Sequence, residues 1–375
     1  MGSVRERRLS SGLRRGFLAG TDRLRANGWS VVQSAVAASA AYLLAVVVLG
    51  NERPFFAAIA AIVSLGVTLG QRARRAVELV FGVAFGLMVA DLLVLVIGTG
   101  VAQIGVVVLL AMAAAVFFGG GPLLVNQAAI SALLVVVLQP PHDAFDPARF
   151  LDALVGGCVA LTVNYLFPIN PERLVERAAR PIFDELVIVL EDIAAALENG
   201  DRERAERALL RARRIDDDQV KSFNEALAAG HETARLSPTR RRALGHLELY
   251  ANAGTRIDLA VINTRVLARG AANAARRGDA APPRLPEAVL ELSRAVRALA
   301  NYLEEPGGPE EARRFALEAA RKATEILEER HDLAISVLVG QIRSSAVDIL
   351  RSTGMDQASA LQALEETAGR ASEIG

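Results

Sequence analysis

The sequence has few residues of the kinds that build covalent or metal-based sites. Among its 375 residues are one cysteine and four histidines, so no disulfide can form within the chain. It contains no P-loop, no CxxC pair, no HExxH and no G-x-S-x-G motif. We therefore expect no catalytic residue, no bound metal and no cofactor, and we do not expect a pump driven by nucleotide hydrolysis.

Lysine is also nearly absent, and charge is unevenly distributed along the chain. Residues 1–170 contain 12 arginines, no lysine and 8 acidic residues, whereas residues 171–375 contain 30 basic and 34 acidic residues. A nucleic-acid-binding protein needs a basic face, which the mixed charge of the second part does not supply, so we expect no nucleic-acid partner. Abundant alanine and the arginine bias favour a bacterial source.

The first part of the chain is dominated by long apolar runs. A helix of about 20 residues crosses the hydrocarbon core of a bilayer, and 17 is near the short limit. Glycine and proline mark breaks between the runs, as at Gly50 to Pro54 and Gly119 to Pro122. The six runs are 29–49, 55–70, 76–97, 101–118, 122–138 and 150–167.

This pattern predicts an all-α, polytopic membrane protein with six transmembrane helices and a cytoplasmic helical bundle at the C-terminal end. The predicted domains are a basic N-terminal segment (1–28), a membrane domain (29–168) and a cytoplasmic domain (169–375). Amphipathic periodicity predicts the helices of the last domain. Their expected bounds are 171–199, 201–235, 238–276, 285–304, 309–352 and 356–370.

Arginine also predicts the orientation. Seven arginines lie in residues 5–27, three in 71–75 and three in 171–180, whereas six spans would leave only Arg53 and Arg149 on the opposite side. Positive charge favours the cytoplasmic side, so we expect both termini there, in the bacterial cytoplasmic membrane. The N-terminal segment is either a basic amphipathic helix on anionic lipid or a solvated tail.

A short internal repeat links the third and sixth runs. Arg75 and Glu78, and 74 residues later Arg149 and Asp152, share the pattern R-x-x-acid-x-x-x-G at the start of an apolar helix. Repeats of three spans must be inverted in the membrane, an architecture common among secondary transporters. The pattern therefore predicts an inverted 3+3 repeat, with Arg75 at the cytoplasmic face and Arg149 at the outer face.

Ionisable groups inside a bilayer are costly and usually serve a function or have a partner. The two Arg/acid pairs have i,i+3 spacing, with the acid predicted in the first helical turn, where the helix dipole favours it. They are either local structural pairs or gates for anions and protons. Asp91 has no basic residue three or four positions away, so it either carries a proton or lies near water at the outer interface.

Neutral polar residues add further candidates for the transport path. Asn126 and Gln127 lie in the fifth run and Asn164 lies in the sixth. They either bind substrate or bridge neighbouring helices. Four glycines are expected to permit close helix approach instead: Gly82, Gly86, Gly156 and Gly157.

Three segments resemble a known family. They are 51–60 (NERPFFAAIA), 64–75 (SLGVTLGQRARR) and 149–157 (RFLDALVGG), and the likeness covers about 20–170. They resemble the fusaric acid resistance protein-like family, which includes aromatic acid exporters and is similar to the plant aluminium-activated malate transporters. The resemblance implies a membrane-bound dimer that moves organic anions outward. Many exporter members have a longer, duplicated membrane portion, from which this chain departs.

Three functions are therefore open. The first is efflux of aromatic carboxylic acids coupled to the proton gradient, with an organic anion, the lipid bilayer and a second copy of the chain as partners. The second is a passive organic-anion channel. The third is a membrane scaffold whose helical domain recruits partners while nothing crosses the membrane.

Overall fold

The computed structural model shows only helices as regular secondary structure in the residues it describes, which confirms the predicted all-α class for that part of the chain. The chain divides into two compact units, Met1–Ile169 and Asn170–Gly375. The described residues are 28–68, 87, 92–93, 96, 100–117, 119, 121–138, 148–168, 170–215, 217–278, 281–305, 307–329 and 333–372.

The first unit contains five described helices. They are α1 (Gly28–Leu49), α2 (Phe55–Thr68), α3 (Val101–Phe117), α4 (Pro122–Leu138) and α5 (Ala148–Leu166). Their bounds agree within two residues with five of the six apolar runs. The remaining run, 76–97, lies almost entirely outside the described residues, so the structure does not test it.

Two of these helices, α1 and α5, are long and apolar enough to cross a membrane. The other three are equally apolar but shorter, with 14 residues in α2 and 17 each in α3 and α4. A 17-residue helix is about 25 Å long, slightly less than a typical hydrocarbon core. Six spans and the inverted repeat therefore stay predictions.

Small side chains dominate one of the two buried clusters of the first unit. Ala37, Ala41 and Ala45 recur every four residues on α1 and are fully buried against Ala57 and Ala61 of α2. Large apolar side chains face outward instead: Val47 is 77% exposed and Phe117 is 84% exposed. Small residues inside and large apolar residues outside are typical of helices that pack in lipid.

The second unit contains eight described α-helices and a 3₁₀ helix. The first α-helices are α6 (Pro171–Asn199), α7 (Arg202–Arg214) and α8 (Asp217–Leu236), and a 3₁₀ helix (Pro238–Ala243) follows. The last are α9 (Leu244–Arg277), α10 (Arg284–Glu304), α11 (Glu310–Glu329), α12 (Leu333–Ser352) and α13 (Gln357–Ser372). One apolar core includes Ile182, Phe223, Tyr250, Leu292 and Val339.

Two helix predictions for this unit are wrong. The predicted helix 201–235 is interrupted at Ile215, whose backbone is extended with φ −67° and ψ 91°. The predicted helix 309–352 is two helices, α11 and α12. Arg343 donates a hydrogen bond to Thr324, 19 residues earlier. In one continuous helix those residues would be about 28 Å apart, so α11 and α12 cannot be parts of one straight helix.

By length and composition alone, α12 could also cross a membrane. Half of its most apolar window is nevertheless buried inside the protein. Val339 and Ile342 are fully buried in the core, and Leu338 contacts α9 at Gly270. We therefore interpret α12 as a core helix of the second unit, since crossing a membrane would remove it from this core.

Candidate functional site

The first unit places a buried acid against a short loop. Leu49 ends α1, and Gly50, with φ +64°, turns the chain into the loop that leads to Pro54 and α2. Within this loop, the Asn51 side chain donates a hydrogen bond from Nδ2 to Oδ2 of Asp152, at 2.7 Å. The α1–α2 loop is therefore joined to the beginning of α5.

A second hydrogen bond fixes the conformation of the loop. The backbone N–H of Arg53 donates to Oδ1 of Asn51, at 3.1 Å. Asparagine commonly closes a turn in this way, with its side-chain oxygen replacing a backbone carbonyl. The two hydrogen bonds occupy both ends of the Asn51 amide, so that its oxygen faces the loop and its nitrogen faces Asp152.

Arg149 and Asp152 lie one turn apart on α5, and both are buried, with exposed fractions of 5% and 1%. Because α5 begins at Ala148, Asp152 is its fifth residue, and the first turn contains no acid. The expectation that Asp152 lies in the first turn is therefore wrong, and its stabilisation by the helix dipole is correspondingly smaller. Asn51 supplies a directed donor to this carboxyl instead.

Gly156 allows α2 and α5 to approach closely, one turn beyond Asp152. A Cβ atom built on Gly156 would lie 2.1 Å from the carbonyl oxygen of Ala57 and 3.0 Å from Cβ of Ala60. Any side chain at position 156 would therefore collide with the backbone of α2. This contact holds the N-terminal ends of α2 and α5 side by side.

Two long-range hydrogen bonds define the ends of this helix group. Asn51 bonds to Asp152 at one end, and Nε2 of Gln33 donates to the carbonyl oxygen of Phe167 at the other, at 3.1 Å. Helices α1 and α5 are thus antiparallel. Residues 51 and 152 lie at the same end of the helix group, so the chain between them must cross a membrane an even number of times. The six-span prediction has four crossings there and is compatible with this requirement.

The other predicted site residues are distributed differently. Asn126 is exposed, Gln127 is buried and Asn164 is half-buried. In the part of the chain that the structure describes, none of these three forms a hydrogen bond to Asn51 or Asp152. Arg75, Glu78 and Asp91 lie outside the described residues.

Sequence reasoning did not identify Asn51 as a site residue. Asn51 lies within the segment that carries the family resemblance, but outside the apolar runs in which intramembrane chemistry is expected. A usable signal was present, since an asparagine between Gly50 and Pro54 is a strong turn former with an amide still able to donate. Its distant partner, Asp152, could not be read from the local sequence.

The site combines groups that can handle a proton and an anion. Asp152 is an acceptor when ionised and a donor when protonated, whereas Arg149 remains a cation. A cluster of three or more potential metal ligands is absent from the residues described.

Known proteins match this chain over most of its length. The family model described as "Fusaric acid resistance protein-like" matches residues 37–163, a range that includes both Asn51 and Asp152. An uncharacterized protein of Corynebacterium glutamicum is 32% identical over 356 residues, covering 92% of this chain and 90% of its own.

Two mycobacterial relatives have names that mention transport. The proteins named "Putative arylamide transporter" in Mycobacterium bovis and Mycobacterium tuberculosis are each 30% identical over 293 residues. The alignments cover 74% of this chain and 79% of theirs. Family and relatives together indicate a membrane transporter rather than an enzyme, and the chain belongs to the fusaric acid resistance protein-like family.

Proposed function

We propose that the first unit exports aromatic carboxylic acids across the bacterial cytoplasmic membrane and that the proton gradient drives this export. The observation that supports it most directly is the buried pair of Arg149 and Asp152 on an apolar helix. Charged groups in such helices usually face a transport path or a partner. Family membership supports transport, and the pair supplies groups suited to an anion and a proton.

Aromatic side chains near the site favour an aromatic substrate. Phe55 and Phe56 follow the loop directly, and their ring centroids are 5.8 Å apart. Phe55 is half-buried and Phe56 is buried. Aromatic rings pack well against aromatic ligands. The mycobacterial relatives are named for arylamides, which share the aromatic ring but have an amide in place of the carboxylate.

In this proposal, Arg149 attracts the carboxylate while Asp152 exchanges a proton. An ionised carboxyl is expensive in hydrocarbon, so protonation removes a cost when the site is closed to water. Arg75 and Glu78 perform the corresponding role at the other mouth of an inverted repeat, and Asp91 is a further proton carrier between them. Asn126, Gln127 and Asn164 contribute polar contacts along the path.

The same proposal includes an arrangement in the membrane. Residues 1–28 lie on the cytoplasmic surface, residues 29–168 form six spans, and residues 169–375 form a cytoplasmic helical domain. Both termini are then cytoplasmic, and two copies of the chain assemble in the lipid bilayer. The arginine distribution supports the orientation, and a single six-span unit, which lacks the duplication of many exporters, supports the dimer.

Transport by purified protein in liposomes tests the proposal. We expect an aromatic carboxylate to accumulate when a pH gradient is imposed, and we expect Asp152→Asn to reduce that accumulation about tenfold or more. Glu52→Gln is the matched control, because it removes an exposed carboxylate from the neighbouring loop and leaves Asp152 in place. We expect this control to transport like the wild type.

Other results would select another function. Current through the protein that ignores the pH gradient would favour a passive anion channel. Accumulation of a neutral arylamide but of no carboxylate would move the substrate class toward that named for the mycobacterial relatives. If neither compound moves in folded, correctly oriented protein, transport by this chain is refuted and the scaffold hypothesis gains.

A further inference from the structure

The Asn51 amide is oriented by hydrogen bonds at both of its ends. Its oxygen accepts from the backbone N–H of Arg53 at 3.1 Å, so its nitrogen must face Asp152, 2.7 Å away. Exchanging the two amide ends would place oxygen against carboxylate oxygen and nitrogen against an N–H donor, which disfavours both contacts. The orientation of Asn51 therefore depends on an acceptor at Asp152.

Few charged groups surround this hydrogen bond. Helices α1 to α4 contain no Asp, Glu, His, Lys or Arg within their described residues. The charged neighbours that the described elements supply are Arg149 on α5 itself and the exposed Glu52 and Arg53 of the loop. Asn51 is a neutral donor from the α1–α2 loop, and the strength of its hydrogen bond depends on the charge of the Asp152 carboxyl.

The loop that contains Asn51 is short and restrained at both ends. Five residues separate Leu49 from Phe55, with the left-handed turn of Gly50 at one end and Pro54 at the other. Because the Asn51 amide bonds to both Asp152 and the Arg53 N–H, a weaker bond to Asp152 removes one restraint on this loop of five residues.

We propose that Asn51 is a positioning residue that couples the protonation of Asp152 to the conformation of the α1–α2 loop. A hydrogen bond to an ionised acceptor is roughly twice as strong as one between neutral groups. Ionised Asp152 holds the loop closed against α5, and protonated Asp152 weakens that hold. Opening of this end of the transport path when a proton binds rests on the proposed function, whereas the coupling itself does not.

Asn51→Asp separates positioning from a simple role in the turn. Aspartate is nearly the same size and closes the same turn, because its carboxylate accepts from the Arg53 N–H as asparagine does. It lacks the donor, however, and places a second carboxylate beside Asp152. Two carboxylates at this distance share a proton, because both cannot be ionised cheaply. We expect the pH of half-maximal transport to rise by about one unit or more.

Asn51→Ser is the second variant. Serine also closes a turn, but its side chain is too short to maintain the 2.7 Å contact with Asp152. We expect this variant to be folded and to have lost the coupling between loop and carboxyl. Glu52→Gln is again the control, and its pH profile should match that of the wild type.

A measurement without substrate keeps this inference distinct from the proposed function. Cys158 is the only cysteine, so a Cys158→Ser, Glu52→Cys variant of the full chain accepts a single nitroxide label in the loop. We expect electron paramagnetic resonance to show that the label becomes more mobile as the pH falls. That transition should disappear when Asn51→Ser or Asp152→Asn is added.

The outcomes are separable. The coupling is overturned, even if transport is found, when label mobility does not change with pH. It is also overturned when mobility changes as much in the Asn51→Ser and Asp152→Asn variants as in the labelled protein without these substitutions. A wild-type transport profile in Asn51→Asp also overturns it. Absence of transport together with the expected loop transition would instead refute the proposed function and leave the coupling standing.

Discussion

Substituting alanine for Gly156 is expected to force α2 and α5 apart. The added Cβ would lie 2.1 Å from the Ala57 carbonyl oxygen and 2.9 Å from its carbon. A carbon and a carbonyl oxygen in contact are about 3.3 Å apart, so one helix must shift by roughly 1 Å. The neighbour is backbone and cannot change its rotamer. We expect the upper part of the usual cost of overpacking, about 2–3 kcal/mol.

Thermal unfolding of the full chain in detergent provides the assay. Trp29, the only tryptophan, lies on α1 in the same unit and reports its unfolding by fluorescence. A loss of 2–3 kcal/mol corresponds to a fall in Tm of roughly 4–12 °C for a unit of this size. Gly105→Ala is the matched control, because a Cβ on Gly105 of α3 meets nothing within 4 Å.

A double variant distinguishes backbone contact from side-chain contact at Gly156. Adding Ala60→Gly removes the 3.0 Å contact but leaves the Ala57 backbone in place, so it should restore little stability to Gly156→Ala. Full recovery in the double variant would show that side-chain crowding, not backbone contact, limits the approach of the helices. An unchanged Tm in Gly156→Ala alone would refute the close approach of α2 to α5, and with it the position of Asp152 beside the loop.

Two predictions concern the second unit and can be checked by hydrogen exchange of the full chain. Burial raises the pKa of the Asp348 carboxyl on α12, against the opposing effects of Arg256 and Arg351. The folded state therefore binds the proton more tightly than the unfolded state, and stability falls as the pH rises through that raised pKa. Asp348→Asn should slow exchange in α12 at neutral pH and have little effect at low pH; slower exchange at every pH would contradict this. Arg265 donates hydrogen bonds to the carbonyl oxygens of Ala212 and Ile215 at the end of α7. Arg265→Ala leaves these acceptors without that donor, which costs about 1–3 kcal/mol and should speed exchange there about tenfold; no change would show that the contact is not stabilising.

The sequence was most informative where the chain must change direction. Gly50, Pro54 and Pro122 predicted helix ends within two residues, because positive φ and a missing N–H are difficult to accommodate inside a helix. Apolar runs likewise predicted the described helices of the first unit. Backbone hydrogen bonds in lipid must be satisfied within the segment itself, so composition alone favours helix.

Predictions failed where a local signal was overlooked or where tertiary contacts decide. The interruption at Ile215 precedes three aspartates, residues 216–218. Aspartate is common at helix starts, so these residues indicated a new helix. The prediction followed the amphipathic periodicity instead. The separation of α11 from α12 is revealed by the Arg343–Thr324 contact, which no local pattern encodes. In the same way, Asp152 was identified from the internal repeat, but Asn51, which donates a hydrogen bond to it, lies 101 residues away.

The internal repeat stays a prediction, because only one of its two halves lies within the described residues. It drew attention to Arg149 and Asp152, which the structure buries side by side on α5. Its other half, Arg75 and Glu78, lies outside the described residues. Cysteine crosslinking across the two halves would measure whether residues 75–78 lie at the end of the unit opposite Asn51, as an inverted repeat requires.

We propose that Asp152 exchanges a proton while an aromatic acid crosses the membrane. The most direct measurement is proton movement into liposomes that contain the purified chain, recorded with an internal pH dye when an aromatic carboxylate is added outside. The account predicts a substrate-dependent pH change that is lost in Asp152→Asn and retained in Glu52→Gln. Carboxylate uptake without any proton movement, or an undiminished signal in Asp152→Asn, would contradict it.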